Sequence, residues 1–143
     1  MSDSKQFCTF FINGLFFGVE VLKVQEVIRY QEMTSVPLAP QTIQGLINLR
    51  GQIVTAIDLR RRLELPSRQD GQLPMNVVVR TDDGAVSLLV DEIGDVVEMR
   101  DDVREQPPET LRGVARELVV GVYKMKERLL LILDTEKTVN LAT

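Results

Sequence analysis

The chain of 143 residues has no histidine, no tryptophan and a single cysteine, Cys8. Without histidine it lacks the commonest general base and the commonest metal ligand, which excludes Cys/His and Ser/His/Asp catalysis within this chain. A single cysteine forms no intrachain disulfide. Because Cys8 lies in an apolar segment, where a free thiol behaves as a small buried side chain, we predict that it is a packing residue.

Aromatic residues are also scarce, at 5% of the chain, and the formal net charge is −4. A nucleic-acid-binding barrel needs a positive surface and aromatic stacking platforms, so neither property favours that class, and no nucleic-acid partner is expected. The longest apolar run, at 129–133, is far too short to cross a bilayer. The N-terminal MSDSKQF lacks the layout of a signal peptide. The expectation is a cytoplasmic protein without membrane insertion.

Short apolar segments separated by turn residues are what the chain does contain, and they predict an all-β barrel or sandwich with a few short helices. The strongest signal is Asn13-Gly14 between two apolar runs, which is typical of a tight hairpin. Strands are predicted at 7–12, 15–20, 43–49, 52–57, 76–80, 85–90, 93–99, 117–124 and 128–133.

Helical signals are few. Apolar residues at helical spacing predict a short helix or turn within 21–30, and the prolines of VPLAP then predict an extended loop. Asp58 is placed to cap one or two helical turns, and a closing helix is predicted at 135–141.

A polar stretch at 66–74, PSRQDGQLP, is the clearest linker-like segment. Strands and hairpins follow one another in a similar way on both sides of it. The pattern therefore suggests two similar small barrels within a single domain spanning residues 1–143.

An acidic cluster is the one candidate for cation or hydrolytic chemistry. Its members are Asp91, Glu92, Asp95 and Glu98. They lack the spacing and the glycine of an EF-hand loop, and alternation along a strand favours a solvated face over a metal site. We expect neither metal nor cofactor; a small enzyme acting through Asp or Glu is the alternative from another functional class.

Three consecutive arginines, Arg60 to Arg62, resemble a phosphate or nucleic-acid patch when taken alone. They stand between Leu59 and Leu63, one helical turn apart, which favours burial of the two leucines and a solvated face for the arginines.

The segment LINLRG, residues 46–51, holds an arginine between two apolar runs. Ile47 and Leu49 share one face of a strand, and Gly51 supplies the positive φ of a tight connection, so Arg50 is predicted at a hairpin tip. Two interpretations stay open for it: a pair with a nearby carboxylate, or an anchor for a protein partner.

Six motifs along nearly the whole chain resemble the CheW-type coupling proteins of bacterial chemosensory arrays. They are GLFFGVEVLKVQEVIRY, VPLAP, QGLINLRGQIVTAIDLRRRL, VSLLVDEIGDVVEM, PPETLRG and LLLILDTEK. The resemblance implies two SH3-like five-stranded β-subdomains with an apolar groove between them. It implies a non-enzymatic adaptor, peripheral to receptor arrays, that binds the cytoplasmic tip of chemoreceptors and the CheW-like regulatory domain of the histidine kinase CheA. Further copies of CheW-like proteins are implied as partners in rings. An adaptor of a non-flagellar chemosensory pathway is the alternative.

By position, the resemblance implies two sets of binding residues. The receptor-facing set is Val24, Glu26, Arg50 and Val96. The kinase-facing set is Met33, Ile43 and Gln44, with a second kinase contact near Pro107-Pro108. Val24 is ambiguous, because its spacing with Val21 and Ile28 alone favours the core over a groove.

Overall fold

A computed structural model describes residues 3–141, which form ten strands and three short α-helices. The strands are β1 Ser4–Ile12, β2 Leu15–Glu20, β3 Val24–Ile28, β4 Ile43–Leu49, β5 Gln52–Asp58, β6 Met75–Thr81, β7 Gly84–Val90, β8 Glu92–Arg100, β9 Val119–Lys124 and β10 Leu129–Leu133. The helices are α1 Leu59–Arg62, α2 Gly113–Leu118 and α3 Thr135–Val139, with 3-10 turns at Val21–Lys23 and Asp101–Val103.

The strands form two five-stranded sheets. The first sheet has the order β8-β1-β2-β10-β9 and the second has the order β3-β6-β7-β5-β4. Parallel pairing of β2 with β10 and of β5 with β7 accompanies antiparallel pairing elsewhere. This confirms the all-β fold class with two SH3-like five-stranded units, although neither sheet closes into a complete barrel.

The second sheet is built from one continuous stretch, residues 24–90, whereas the first sheet combines β1 and β2 with three strands that follow this stretch. The polar stretch at 66–74 joins α1 to β6, and the strands before and after it lie in the same sheet. The stretch therefore lies within the segment that builds the second sheet and does not separate the two sheets.

The first hairpin has the predicted form. Asn13 and Gly14 have φ of 52° and 78°, and Ile12 faces Leu15 across the turn. The hairpin brings Phe10 and Phe17 together in a stacked pair whose ring centroids are 6.3 Å apart, and both rings are fully buried.

The predicted helix or turn at 21–30 is only partly correct, because the 3-10 turn ends at Lys23 and β3 follows. Gln25 is an extra residue in the pairing of β3 with β6: Val24 faces Val79, whereas Glu26 faces Val78. This bulge interrupts the alternation of side chains along β3, so the segment lacks the period-two pattern by which a strand is recognised in a sequence.

The core lies between the two sheets and receives apolar side chains from both. Cys8 is half-buried against it, which confirms the packing prediction, and burial raises the pKa of its thiol. The closing helix is confirmed, ending at Val139. The strand predicted at 117–124 begins only at Val119, because the preceding residues form α2.

Helix α1 begins as predicted, with the Asp58 carboxylate accepting a hydrogen bond from the backbone N–H of Arg60 at 3.0 Å. Leu59 and Leu63 are buried, as expected. The solvated-face interpretation of the arginines is correct for Arg61 and wrong for its neighbours, since Arg62 donates to three carbonyl groups at the end of α3.

Candidate functional site

Arg50 stands at the tip of the β4–β5 hairpin, as predicted. It has a φ of 51° and Gly51 one of 87°, so both central residues of the turn adopt the left-handed conformation. The Asn48 side chain accepts a hydrogen bond from the backbone N–H of Gly51 at 2.9 Å and fixes the turn. The Arg50 side chain is 77% exposed, and its donors are therefore accessible to a partner.

Glu26 meets Arg50 across the open side of the second sheet, because β3 and β4 are its two edge strands. Arg50 Nη1 donates to Glu26 Oε2 at 2.8 Å, and this hydrogen bond together with the charge of Glu26 raises the pKa of Arg50. We call these two residues the Glu26–Arg50 pair. Both interpretations of Arg50 left open by the sequence are thus compatible, since the side chain is paired and exposed at once.

The Glu26 carboxylate is the less accessible half of the pair, with 19% of its side chain exposed. The bulge at Gln25 places it opposite Val78, which is fully buried. Its Oε1 atom is buried and has no hydrogen-bond partner among the groups the structure describes. Most buried polar atoms in proteins have a hydrogen-bond partner, so this oxygen is an exception.

Val24 lies two residues before Glu26 and is half-buried against the core between the sheets. Replacing Val24 with serine should lower the free energy of unfolding by about 1 kcal/mol, because a partly buried apolar group is exchanged for a hydroxyl. A urea titration measures this change, with Ser35→Ala, in an exposed loop, as the control. An unchanged midpoint would show that Val24 contributes nothing to the core.

Val96 lies on β8, an edge strand of the first sheet, and is 57% exposed. It is therefore on the other sheet from the Glu26–Arg50 pair. The acidic residues predicted to be solvated around it, Glu92, Asp95 and Glu98, are exposed, and Glu98 accepts a hydrogen bond from the Ser4 hydroxyl at 2.8 Å.

Two of the three residues predicted to face the kinase lie together. Met33 and Gln44 line a common cavity of about 290 Å³, which the segment 67–74 completes. Gln44 is the extra residue of a bulge in β4 and is exposed, while Ile43 beside it is half-buried. We call Met33, Ile43 and Gln44 the β4-edge surface.

Backbone contacts hold the β4-edge surface in place. Thr34 and Leu46 exchange two hydrogen bonds, of 2.9 and 2.8 Å. Gly45 permits this approach, because a Cβ atom there would lie 2.7 Å from the Thr34 carbonyl oxygen. Met33 is therefore pressed against the edge strand, although it lies ten residues earlier in the sequence than Ile43.

Sequence reasoning missed a network of charged groups around Asp91. Arg60 Nη2 lies 2.6 Å from Asp91 Oδ2, Arg68 Nε lies 3.0 Å from Oδ1, and the Asn13 N–H donates to Oδ2 at 2.7 Å. Arg68 also reaches Asp58 at 3.4 Å. We call this set the Asp91 network. It ties the first hairpin, α1 and the polar stretch at 66–74 together.

The contacts of the Asp91 network lower the pKa of the Asp91 carboxyl group. Burial alone would raise the pKa of Asp91, but the hydrogen bonds from Arg60, the Asn13 backbone and Arg68 outweigh it and lower that pKa. Asp91 was a candidate cation ligand in the sequence; its oxygens are instead taken by these donors. Within residues 3–141, no group of three or more potential metal-ligating side chains comes together.

No helix in the described part of the chain is long and apolar enough to span a membrane.

Comparison with known proteins gives a consistent result. A family model for the CheW-like domain matches residues 6–143. The chain is 30% identical to the chemotaxis protein CheW of Klebsiella aerogenes, over 93% of this chain and 80% of that protein. It is also 30% identical to CheW of Bacillus subtilis, over 94% of this chain and 86% of that protein. The crystal structure of the scaffolding protein TtCheW from Thermoanaerobacter tengcongensis superposes with a TM-score of 0.86 at 25% identity, covering 99% of this chain and 95% of that one.

Proposed function

Because this chain belongs to the family of CheW-like domains, we propose that it is a non-enzymatic chemotaxis adaptor that couples chemoreceptors to the histidine kinase CheA. It acts in the cytoplasm, at the membrane-distal tips of the receptors. Two separate surfaces serve the two partners: the Glu26–Arg50 pair with Val24 and Val96 for the receptor, and the β4-edge surface for the regulatory domain of CheA.

The observation that carries this proposal is the Glu26–Arg50 pair. A guanidinium that is 77% exposed stands beside a carboxylate that is 19% exposed. One carboxylate oxygen is held by Arg50, and the other is buried without a donor among residues 3–141. Such a pair offers a partner the exposed guanidinium donors that Glu26 does not take, and arginine is enriched at the centre of protein interfaces.

The β4-edge surface supports the second half of the proposal. It combines a half-buried isoleucine, a methionine and an exposed amide beside a cavity. Bulges redirect side chains and end regular strand pairing, so an exposed bulge residue such as Gln44 is well placed to meet another protein. The Arg50 hairpin tip is at the opposite end of β4, which keeps the two partners apart.

Two titrations test the function directly. The full chain is titrated with a soluble fragment carrying a chemoreceptor tip, and separately with the regulatory domain of CheA. We expect saturable binding in both cases, and binding of the second partner should persist when the first is present in excess. Failure to bind either partner would contradict the coupling function, and mutual exclusion would contradict the two-surface arrangement.

Replacing Gln44 with arginine should weaken binding of the CheA regulatory domain at least about tenfold, because an unpaired charge is then placed within a small interface. Binding of the receptor fragment should not change. Since Gln44 is exposed, the free energy of unfolding should stay within about 0.5 kcal/mol of the original.

The matched control is Gln52→Arg, a second exposed glutamine at the start of β5 and on the same sheet. It should leave binding of the kinase domain unchanged. Equal losses for the two variants would indicate a general effect of added charge rather than a contact at the β4 edge.

A further inference from the structure

The pairing of β8 with β1 contains a bulge. On β1 a single residue, Thr9, lies between Cys8 and Phe10. On β8 two residues, Gly94 and Asp95, lie between the partners of Cys8 and Phe10. The extra residue on β8 shifts the alternation of its side chains by one position.

This bulge decides which face of the first sheet Val96 occupies. Val96 is directly opposite Cys8, and Ile93 is directly opposite Phe10, and residues opposite each other lie on the same face of a sheet. Cys8, Phe10 and Ile93 all belong to the core between the two sheets. Val96 therefore lies on the face that is turned towards the second sheet. In a regular strand Val96 and Ile93, three residues apart, would lie on opposite faces.

The Thr9 hydroxyl holds the bulge in place. Thr9 Oγ1 donates a hydrogen bond to the Asp95 carbonyl oxygen at 2.5 Å, and the Thr9 residue is only 1% exposed. Gly94 makes room for this hydroxyl, because a Cβ atom at that position would lie 2.5 Å from Thr9 Oγ1. A threonine on β1 and a glycine on β8 are thus fitted to each other at the bulge.

We propose that Thr9 is a positioning residue for receptor binding: its hydroxyl fixes the bulge that turns Val96 towards the second sheet. That sheet carries Val24, which packs against the same core, and the Glu26–Arg50 pair. Val96 is 57% exposed, whereas Thr9 is buried and acts only through Val96. The inference rests on the proposed function, because it concerns the surface assigned there to the receptor.

Amide hydrogen exchange of the free chain tests the bulge without any partner. Thr9→Val keeps the shape of the side chain but leaves the Asp95 carbonyl without this donor. Exchange at residues 93–97 should become at least about tenfold faster, while exchange in the second sheet stays unchanged. Thr9→Ser keeps the hydroxyl and should restore slow exchange.

Titration with the receptor fragment measures the consequence for binding. Thr9→Val should weaken binding about fivefold, and Thr9→Ser should bind like the unmodified chain. The matched control is Thr138→Val, which removes another buried hydroxyl that donates to a backbone carbonyl, that of Asp134 at 2.7 Å. It should leave receptor binding unchanged even where it lowers the melting temperature as much as Thr9→Val does.

Combining two substitutions shows whether Thr9 acts through Val96. Val96→Ala alone should weaken receptor binding about tenfold, because two carbon atoms that the complex buries are removed. Adding Thr9→Val to Val96→Ala should then cost nothing further, since the side chain that Thr9 positions is already gone.

The proposal is overturned by exchange along β8 that Thr9→Val leaves unchanged, by receptor binding that Thr9→Val leaves unchanged, or by losses that add in full in the combined variant. If Thr9→Val does not fold, Gly94→Ala takes its place with the same expectations, because its methyl group obstructs the hydroxyl. A receptor fragment that does not bind the unmodified chain would instead contradict the proposed function, whereas faster exchange along β8 in Thr9→Val would still show that Thr9 holds the bulge.

Discussion

Replacing Asp91 with asparagine should lower the free energy of unfolding by about 3 kcal/mol, because two guanidinium groups would lose their charged partner. The side chains of Arg60 and Arg68 are each 11% exposed and Asp91 is 18% exposed, so water replaces the lost carboxylate poorly. Urea denaturation at neutral pH gives this difference directly.

The control is Glu105→Gln, which removes a carboxylate from the ion pair with Lys124, whose side chains are 47% and 73% exposed. It should change the free energy of unfolding by less than about 1 kcal/mol. Equal effects of the two variants would show that the Asp91 network is no stronger than a surface ion pair.

The pH dependence of stability follows from the same carboxylate. The pKa of Asp91 is lower in the folded chain than its ordinary value of 3.8, so its ionised carboxylate stabilises the fold at pH values above 3.8. This contribution is lost as the pH falls through the pKa of the folded state. The unmodified chain should therefore lose stability more steeply in acid than Asp91→Asn.

Replacing Arg50 with alanine should weaken binding of the receptor fragment roughly thirtyfold, the size of effect expected when an arginine at the centre of an interface is removed. Binding of the CheA regulatory domain should not change, because the β4-edge surface lies at the other end of β4. Isothermal titration with each partner measures both constants, and a melting curve confirms that the variant is folded.

Two further variants separate contact from positioning. Arg112→Ala, another exposed arginine, is the control and should bind the receptor fragment normally. If Arg50 acted only by holding Glu26 in place, Glu26→Gln would lose as much affinity for the receptor fragment as Arg50→Ala. The variant that combines both substitutions would then lose no more than either one alone. Receptor binding that is insensitive to Arg50→Ala would remove this residue from the receptor surface.

Local signals predicted the local structure well. Asn13-Gly14 predicts a turn with two positive φ angles because few other dipeptides tolerate them, and the structure has this turn. Asp58 likewise predicts the start of α1. Its carboxylate accepts a hydrogen bond from a backbone N–H in the first turn, which has no carbonyl partner within the helix. In both cases the residues that decide the conformation are neighbours in the chain.

Features that depend on distant residues could not be predicted. Gln25 bulges out of β3, and nothing in the surrounding sequence distinguishes that bulge from a helical spacing. Arg60 was assigned to solvent because its partner, Asp91, lies 31 residues later. Arg50 and Glu26 were both placed in the receptor site by resemblance, yet only the structure shows that they contact each other.

The insertion of the second sheet within the first constrains how the chain folds. Strands β3 to β7 leave the ribosome one after another and can complete their sheet early. Strand β2 cannot pair with its parallel partner β10 until residues from Leu129 onward have been synthesised. Closing so long a loop is slow. Until then the first hairpin keeps an unpaired edge and leaves uncovered the aromatic side chains of Phe7 and Phe16, which pack against Tyr123, Leu130 and Ile132 in the folded chain. Newly made chains should therefore be most prone to aggregate, and most in need of chaperones, just before β10 is released.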